Sequence, residues 1–285
     1  MEMRQSREQI LAGLRRQIAE GKIIVGAGAG NGLSAKSIEQ GGADLIVIYN
    51  SGRYRMAGCG SLAGLMPYGN ANDLVLEMAE EVLAIVKCTP VIAGVCGTDP
   101  FRNIPALLAQ LRDRGFSGVQ NFPTVGLIDG SFRANLEETG MSYDLEVDMI
   151  RQARLLGLLT TPYVFNEHEA QAMARVGADI LVAHAGLTAG GKIGAKSGLS
   201  LEECMQLVQR IRDAAVQVNP HIIVLCHGGR ITTPSDVELV MARTRGIAGF
   251  FGASSIERVP VETAIAGITQ EFKSLRSGPS GEPPS

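Results

Sequence analysis

The chain has 285 residues, 45% of them apolar and 19% charged, and a formal net charge of −3. That length suits one barrel-sized domain of ~250 residues with modest extensions. The small charge, with no long run of Lys and Arg, argues against nucleic acid as a partner, and no apolar run reaches the ~20 residues of a membrane span.

Ser6-Arg7-Glu8-Gln9 fits a capping box, and Ile10, Leu11 and Leu14 form a helical stripe behind it. A helix over residues 6–20, ahead of the first strand, is expected to plug the bottom of a barrel. The first strand runs from Ile23 to Ala29. Its glycines resemble a dinucleotide fingerprint, but Gly26, Gly28, Gly30 and Gly32 do not give GxGxxG, and no acid closes the second strand at Asn50. Neither a nicotinamide nor a flavin is expected; the glycines instead let a ligand or a helix come close. The second strand, Ala43 to Asn50, leads into a long loop reaching Asn70. Arg53 and Arg55 in it could clamp an anion or make a subunit salt bridge.

An amphipathic helix from Asn72 to Lys87 precedes the third strand, Val91 to Cys96. Asp99 after it could cap the next helix, with Pro100 in the first turn, or serve as a catalytic carboxylate. The fourth strand, Gly118 to Phe122, carries Gln120 and Asn121. A buried amide needs partners, so one of them, with Asn121 the candidate, is expected to face the mouth and bind ligand. The fifth strand is Leu158 to Phe165. Asn166 and Glu169 cap the helix that follows, which leaves Glu167 near the rim. The sixth strand, Ile180 to His184, ends in a histidine and then a glycine-rich loop with Lys192 and Lys196, suited to closing over an anion. The seventh, Ile222 to His227, is followed by Gly228 and Gly229. The eighth ends at Gly252, Ala253, Ser254 and Ser255, and Val261 to Leu275 forms the last helix.

Strand and helix thus alternate eight times. The fold expected is a single α/β domain over residues 1–276, a (β/α)8 TIM barrel with an extra N-terminal helix. Residues 277–285, rich in Gly, Pro and Ser, are expected to be a disordered tail. In such barrels the loops after the last two strands commonly hold phosphate. Backbone N–H groups at Gly228, Gly229, Gly252, Ala253 and Ser254 would form that cup. An internal echo supports the pattern: Gly42-Ala43-Asp44 recurs as Gly177-Ala178-Asp179, four strands later. Both acids enter their strands, at the bottom face, and belong to stability. The five cysteines, Cys59, Cys88, Cys96, Cys204 and Cys226, are odd in number and lack zinc spacing. They fit buried thiols in a reducing compartment. With no signal peptide in the charged opening residues, a cytoplasmic protein is expected.

Longer strings carry a resemblance. They are Arg55-Met56-Ala57-Gly58, Gly94 to Arg102, Gly118 to Gly126, Asn135 to Met141, Gly157 to Tyr163 and Ile193-Gly194-Ala195-Lys196. Over nearly the whole chain except the tail, these resemble the phosphoenolpyruvate hydrolase-like TIM-barrel family, whose bacterial members are often called phosphonopyruvate hydrolases. The relation to phosphoenolpyruvate mutase and isocitrate lyase barrels implies Mg²⁺, held there by an Asp-x-Asp pair near the third strand. Here that place reads Cys96-Gly97-Thr98-Asp99, with one acid.

The function expected is hydrolysis of a small phosphono- or phospho-carboxylate, phosphonopyruvate or phosphoenolpyruvate. Such a reaction needs neutralised phosphorus oxygens and a base for water. Asp99, Glu167 and His184 are the catalytic candidates. Arg53, Asn121, Lys192 and His227 join the phosphate cup as binding candidates, and Asp99 with Glu167 would ligate Mg²⁺. A different class remains open: a non-catalytic ligand-binding or signalling barrel acting through the contacts of a homo-oligomer.

Overall fold

The computed structural model describes residues 5–276, so the expected tail at 277–285 lies outside the described residues. The elements are α1 (Arg7–Ala19), β1 (Ile24–Ala29), α2 (Gly32–Gln40), β2 (Leu45–Ile48), α3 (Asn50–Met56), α4 (Ala71–Ile85), β3 (Val91–Val95), α5 (Ile104–Arg114) and β4 (Gly118–Asn121). They continue with α6 (Gly130–Glu138), α7 (Tyr143–Leu155), β5 (Leu159–Thr160), β6 (Tyr163–Val164), α8 (Glu167–Arg175), β7 (Ile180–His184), α9 (Leu201–Val218), β8 (Ile223–His227), α10 (Pro234–Arg243), β9 (Gly249–Gly252) and α11 (Arg258–Ser274).

All neighbouring strands pair in parallel, in the order β5-β4-β3-β2-β1-β9-β8-β7-β6. The two ends of that order are halves of one stave. β5 and β6 are separated only by Thr161-Pro162; Thr161 N–H reaches Val119 O on one side, and Pro162 O accepts from Val182 N–H on the other. The ring is therefore an eight-stave TIM barrel, and the break falls where proline removes a ladder donor.

The predicted ligand residue Asn121 belongs to this break and not to the mouth. Its side chain accepts from Tyr163 N–H at 2.7 Å and donates to Glu146 and to Tyr163 O. Gln120, one residue earlier, donates to Thr161 O at 3.0 Å. The two amides satisfy backbone groups that the interrupted stave leaves without ladder partners.

The bottom of the barrel is closed by α1, which opens in the expected capping box at Ser6 and buries Ile10, Leu11 and Leu14. Asp44 and Asp179 hold it there in equivalent ways. Asp44 accepts from Val25 N–H of β1 and from the Gln17 amide; Asp179 accepts from Thr160 N–H of β5 and from both ends of the Arg7 fork. The sequence echo thus corresponds to one repeated device, an acid that ties the preceding stave to the plug.

Candidate active site

The side chains that meet at the open end of the staves come from β7, β8 and the segments after β2 and β9. His184 and His227 are the last residues of β7 and β8 and register partners in the sheet. Parallel neighbours at one register position point the same way, so both rings line the mouth, 4.6 Å apart between centroids. Tyr163 lies 5.0 Å from each.

Their hydrogen bonds assign opposite tautomers. Gly186 N–H donates to His184 Nδ1 at 3.1 Å, so a neutral His184 carries its proton on Nε2. His227 Nδ1 faces the Phe251 carbonyl, which only accepts, so His227 carries its proton on Nδ1 and keeps a lone pair on Nε2. Burial holds both rings neutral. It pushes His184 well below the ordinary histidine range, with His227 adding to the effect. It brings His227 down to about 4, the Phe251 hydrogen bond opposing and the Arg55 charge assisting.

Arg55 is fully buried beside this pair. Its guanidinium donates to Glu257 at 3.0 Å and lies 5.4 Å from the Tyr49 ring centroid. Burial opposes its charge, but Tyr49 and Glu257 outweigh that and raise its pKa above the ordinary arginine value. Gly28 of β1 and Gly30 just after it make the arrangement possible. A Cβ at Gly30 would stand 2.1 Å from Gly52 O, and one at Gly28 would press on Arg55 and on the Tyr49 hydroxyl at 3.2 Å. These two glycines thus admit α3 and its arginine. Glu257 also accepts from Gly30 N–H. The Ser61 and Ser254 hydroxyls, 3.1 Å apart, complete the wall.

The sequence named some of these residues and missed others. His184, His227, Ala253 and Ser254 line the mouth. Gly228, Gly229 and Gly252 do not line it: Gly229 N–H is spent on Gly186 O at 2.8 Å, and Gly252 pairs with Ala27 in the sheet. The segment after β2, read as a loop, begins with helix α3. Residues two apart on a helix point to opposite sides, so with Arg55 inside, Arg53 turns out to Glu81 at 3.0 Å. Lys192 is exposed, with its backbone N–H on Glu262. Glu167 pairs with Arg210 on the outer surface between α8 and α9. Asp99 neither caps α5, whose cap is Asn103, nor reaches the mouth. It accepts from the Asn70 and Asn72 amides and from Phe101 N–H. Glu257 and Arg258 carry no sequence signal, because they follow the last strand in a stretch without periodicity. Tyr49 and Tyr163 read as ordinary strand residues.

Magnesium needs several hard oxygen ligands. The mouth offers imidazoles, phenols, hydroxyls and an arginine, and the carboxylate beside it is occupied by Arg55 and Gly30. Among the described residues no three His, Cys, Asp or Glu side chains gather as a metal site. The residues present do not fit Mg²⁺.

The innermost chamber is about 30 Å³, room for roughly two waters. Leu62, Leu187 and Thr188 line both it and an outer vestibule of about 170 Å³ that reaches Arg258 and Ala195.

Comparison with known proteins adds a family to this geometry. The profile of the family described as phosphoenolpyruvate hydrolase-like matches residues 9–275. The ToMV susceptible protein tm-1(GCR26) of Solanum lycopersicum is 61% identical over 271 residues, 95% of this chain. The chain spans 36% of that relative's length. Among solved structures, a phosphoenolpyruvate phosphomutase from Streptomyces platensis subsp. rosaceus superposes with a TM-score of 0.60 at 19% identity, covering 93% of this chain and 86% of that one. A phosphonopyruvate hydrolase in complex with oxalate and Mg²⁺ superposes with a TM-score of 0.58 at 16% identity, covering 96% and 92%. At such identities these two show a shared fold.

Proposed function

The chain belongs to the phosphoenolpyruvate hydrolase-like family, and from that premise we propose that its mouth binds a small phosphono- or phospho-carboxylate and hydrolyses it with two neutral histidines. The observation that carries this reading is the pair of opposed tautomers. His227 Nε2 offers a lone pair and His184 Nε2 an N–H, both beside a buried arginine. Among the described residues neither Nε2 atom has a protein hydrogen-bond partner. A base and a neutral electrophile side by side suit proton transfer from water and stabilisation of a developing oxyanion.

With phosphonopyruvate the steps balance as follows. Water attacks phosphorus while His227 Nε2 takes its proton. The C–P electron pair passes to the methylene carbon, and His184 Nε2–H hydrogen-bonds the enolate oxygen so formed. The proton on His227 then returns to the methylene carbon, giving pyruvate and phosphate. Arg55, Tyr49 and the Ser61 and Ser254 hydroxyls hold the anion from the wall. Leu62 and Leu187 at the rim of the mouth limit the access of bulk water beyond the attacking molecule.

The test is release of pyruvate and phosphate from phosphonopyruvate and from phosphoenolpyruvate, with Mg²⁺ or with EDTA. Turnover is expected to persist in EDTA, and His227→Asn should lower kcat by 10²–10⁴-fold, roughly the worth of one positioned base. Turnover that vanishes in EDTA and returns with Mg²⁺ would contradict the metal-free assignment. Tight ligand binding with no product would support the non-catalytic barrel instead.

A further inference from the structure

A second buried arginine stands outside the histidine pair. Arg258 opens α11, and its side chain is only 4% exposed. It lines the outer vestibule of about 170 Å³. One arm of the guanidinium donates to Glu262 at 2.8 Å and the other to Gly190 O at 3.2 Å. An arginine carries five N–H donors, and the others of Arg258 have no protein acceptor among the described residues. Gly191 makes room for the fork: a Cβ there would stand 2.5 Å from it. Glu262 does not cancel the positive charge of this corner, because it is shared. Its second oxygen accepts from Lys192 N–H, and that bond, Arg258 and the Lys192 charge together hold its carboxyl below the ordinary range. Two cations thus meet one carboxylate. No Asp or Glu lines the vestibule or the inner chamber. A buried charge is costly unless its donors are used, and here donors are left over on the side of a cavity.

We propose that Arg258 is the specificity-determining residue of this mouth: from the vestibule it binds the carboxylate of the ligand whose phosphonate lies at the histidines. The proposal rests on the hydrolytic function above, which sets phosphorus by His227 and the carbonyl oxygen by His184. In phosphonopyruvate the carboxylate lies at the opposite end from phosphorus. The inner chamber, about 30 Å³, shares Ser61, Leu62, Leu187, Thr188 and Ser254 with the vestibule. A ligand with one acid group at the histidines and another a few bonds away therefore spans both spaces. A planar carboxylate matches the two-armed guanidinium, and the Thr188 and Ser254 hydroxyls line the way between. The two arginines are tied to consecutive residues. Glu257 holds Arg55, and Arg258 is the next residue along, so the head of α11 sets the spacing of both cations. Phosphonates without a carboxylate forfeit the outer contact.

Calorimetric titration with two unreactive phosphonates tests this without turnover. Phosphonopropionate keeps the chain length and the carboxylate of phosphonopyruvate; propylphosphonate has a methyl group where the carboxylate stands. The native chain is expected to bind the first about 10–100-fold more tightly, the worth of a charge-assisted hydrogen bond. Arg258→Ala, and Arg258→Gln, which can still donate to Gly190 O, should bind both ligands about equally, with the native affinity for propylphosphonate. Glu262→Gln keeps an acceptor oxygen and removes the competing charge, so it should retain or increase the preference. A native chain that does not prefer phosphonopropionate would overturn the subsite. So would equal weakening of both ligands in Arg258→Gln, or a preference lost in Glu262→Gln, since either makes Arg258 a clasp for the 186–198 loop. A preference lost in the arginine variants, with no product from phosphonopyruvate in the native chain, would uphold the subsite and remove the hydrolysis.

Discussion

At the scale of single residues, the protein sets its chemistry by burial. His227 titrates near 4 because its ring is dry, so the free enzyme keeps a neutral base far below the ordinary histidine range. The acid limb of kcat/KM, which reports the free enzyme, is expected near pH 4, and a limb near 6.5 would contradict the assignment. The same depression affects stability. A histidine whose folded pKa lies below its unfolded value contributes stability that is present above about 6.5 and lost as pH falls through about 4. The loss is on the order of 3 kcal/mol for a shift of this size. Chemical denaturation of the native chain and of His227→Asn across pH 4–7 should differ by that slope, the native chain gaining more stability with rising pH than the variant.

Glu146 gives the opposite slope. Its carboxyl accepts from Thr124, Asn121 and Val125 N–H and so holds the segment after β4, yet burial outweighs those bonds and raises it to about 7. A raised carboxyl contributes stability that is full below about 4.5 and lost as pH rises through about 7. Glu146→Gln should therefore gain stability relative to the native chain as pH rises from about 4.5 to about 7. Arg55 is bound up with Glu257 in the dry interior. Arg55→Ala strands that carboxylate, and a loss of about 3–5 kcal/mol in denaturant unfolding is expected. Arg53→Ala, at a half-exposed pair, should cost at most about 1 kcal/mol.

At the scale of elements, the strands were legible because parallel staves buried on both faces read as continuous apolar runs. Val91–Val95, Ile180–His184 and Ile223–His227 fall where the sequence puts them. The caps at Ser6 and Asn166 were legible too, because a cap is a local hydrogen bond between near neighbours in sequence. What could not be read depends on distant partners. Helix α3 was read as a loop because it begins directly at a strand end with no capping side chain. Its register alone decides that Arg55, and not Arg53, enters the mouth. Asn121 looked like a ligand residue because an amide in a core strand needs partners, and only the broken fifth stave shows who they are. Of the candidate site, the two histidines and Ala253-Ser254 were visible as strand ends. The Arg55–Glu257 pair spans 202 positions and left no local trace. The repeated acids belong to this scale as well. Asp179→Asn removes one charge of the Arg7 pair and should cost on the order of 3 kcal/mol, measured by denaturant unfolding. Asp44→Asn, whose partners are an amide and a backbone N–H, should cost about 1 kcal/mol.

For the whole molecule, the plugged bottom and the open end divide stability from chemistry, as in other barrels of this architecture. Arg7, Asp44 and Asp179 hold the plug, while the opposite end gathers the buried arginine, the tyrosines and the histidine pair into one small chamber. The central claim is that this chamber holds two neutral histidines of opposite tautomer, poised to act on a bound anion. Nitrogen-15 correlation spectra of histidine-labelled protein test it most directly. The chain has four histidines, and His184→Asn and His227→Asn assign the two that matter. At pH 6 the spectra should show His227 protonated on Nδ1 and His184 on Nε2, with both Nε2 resonances shifted by phosphonopyruvate. Two imidazolium rings at that pH, identical tautomers, or Nε2 signals indifferent to the ligand would contradict the account.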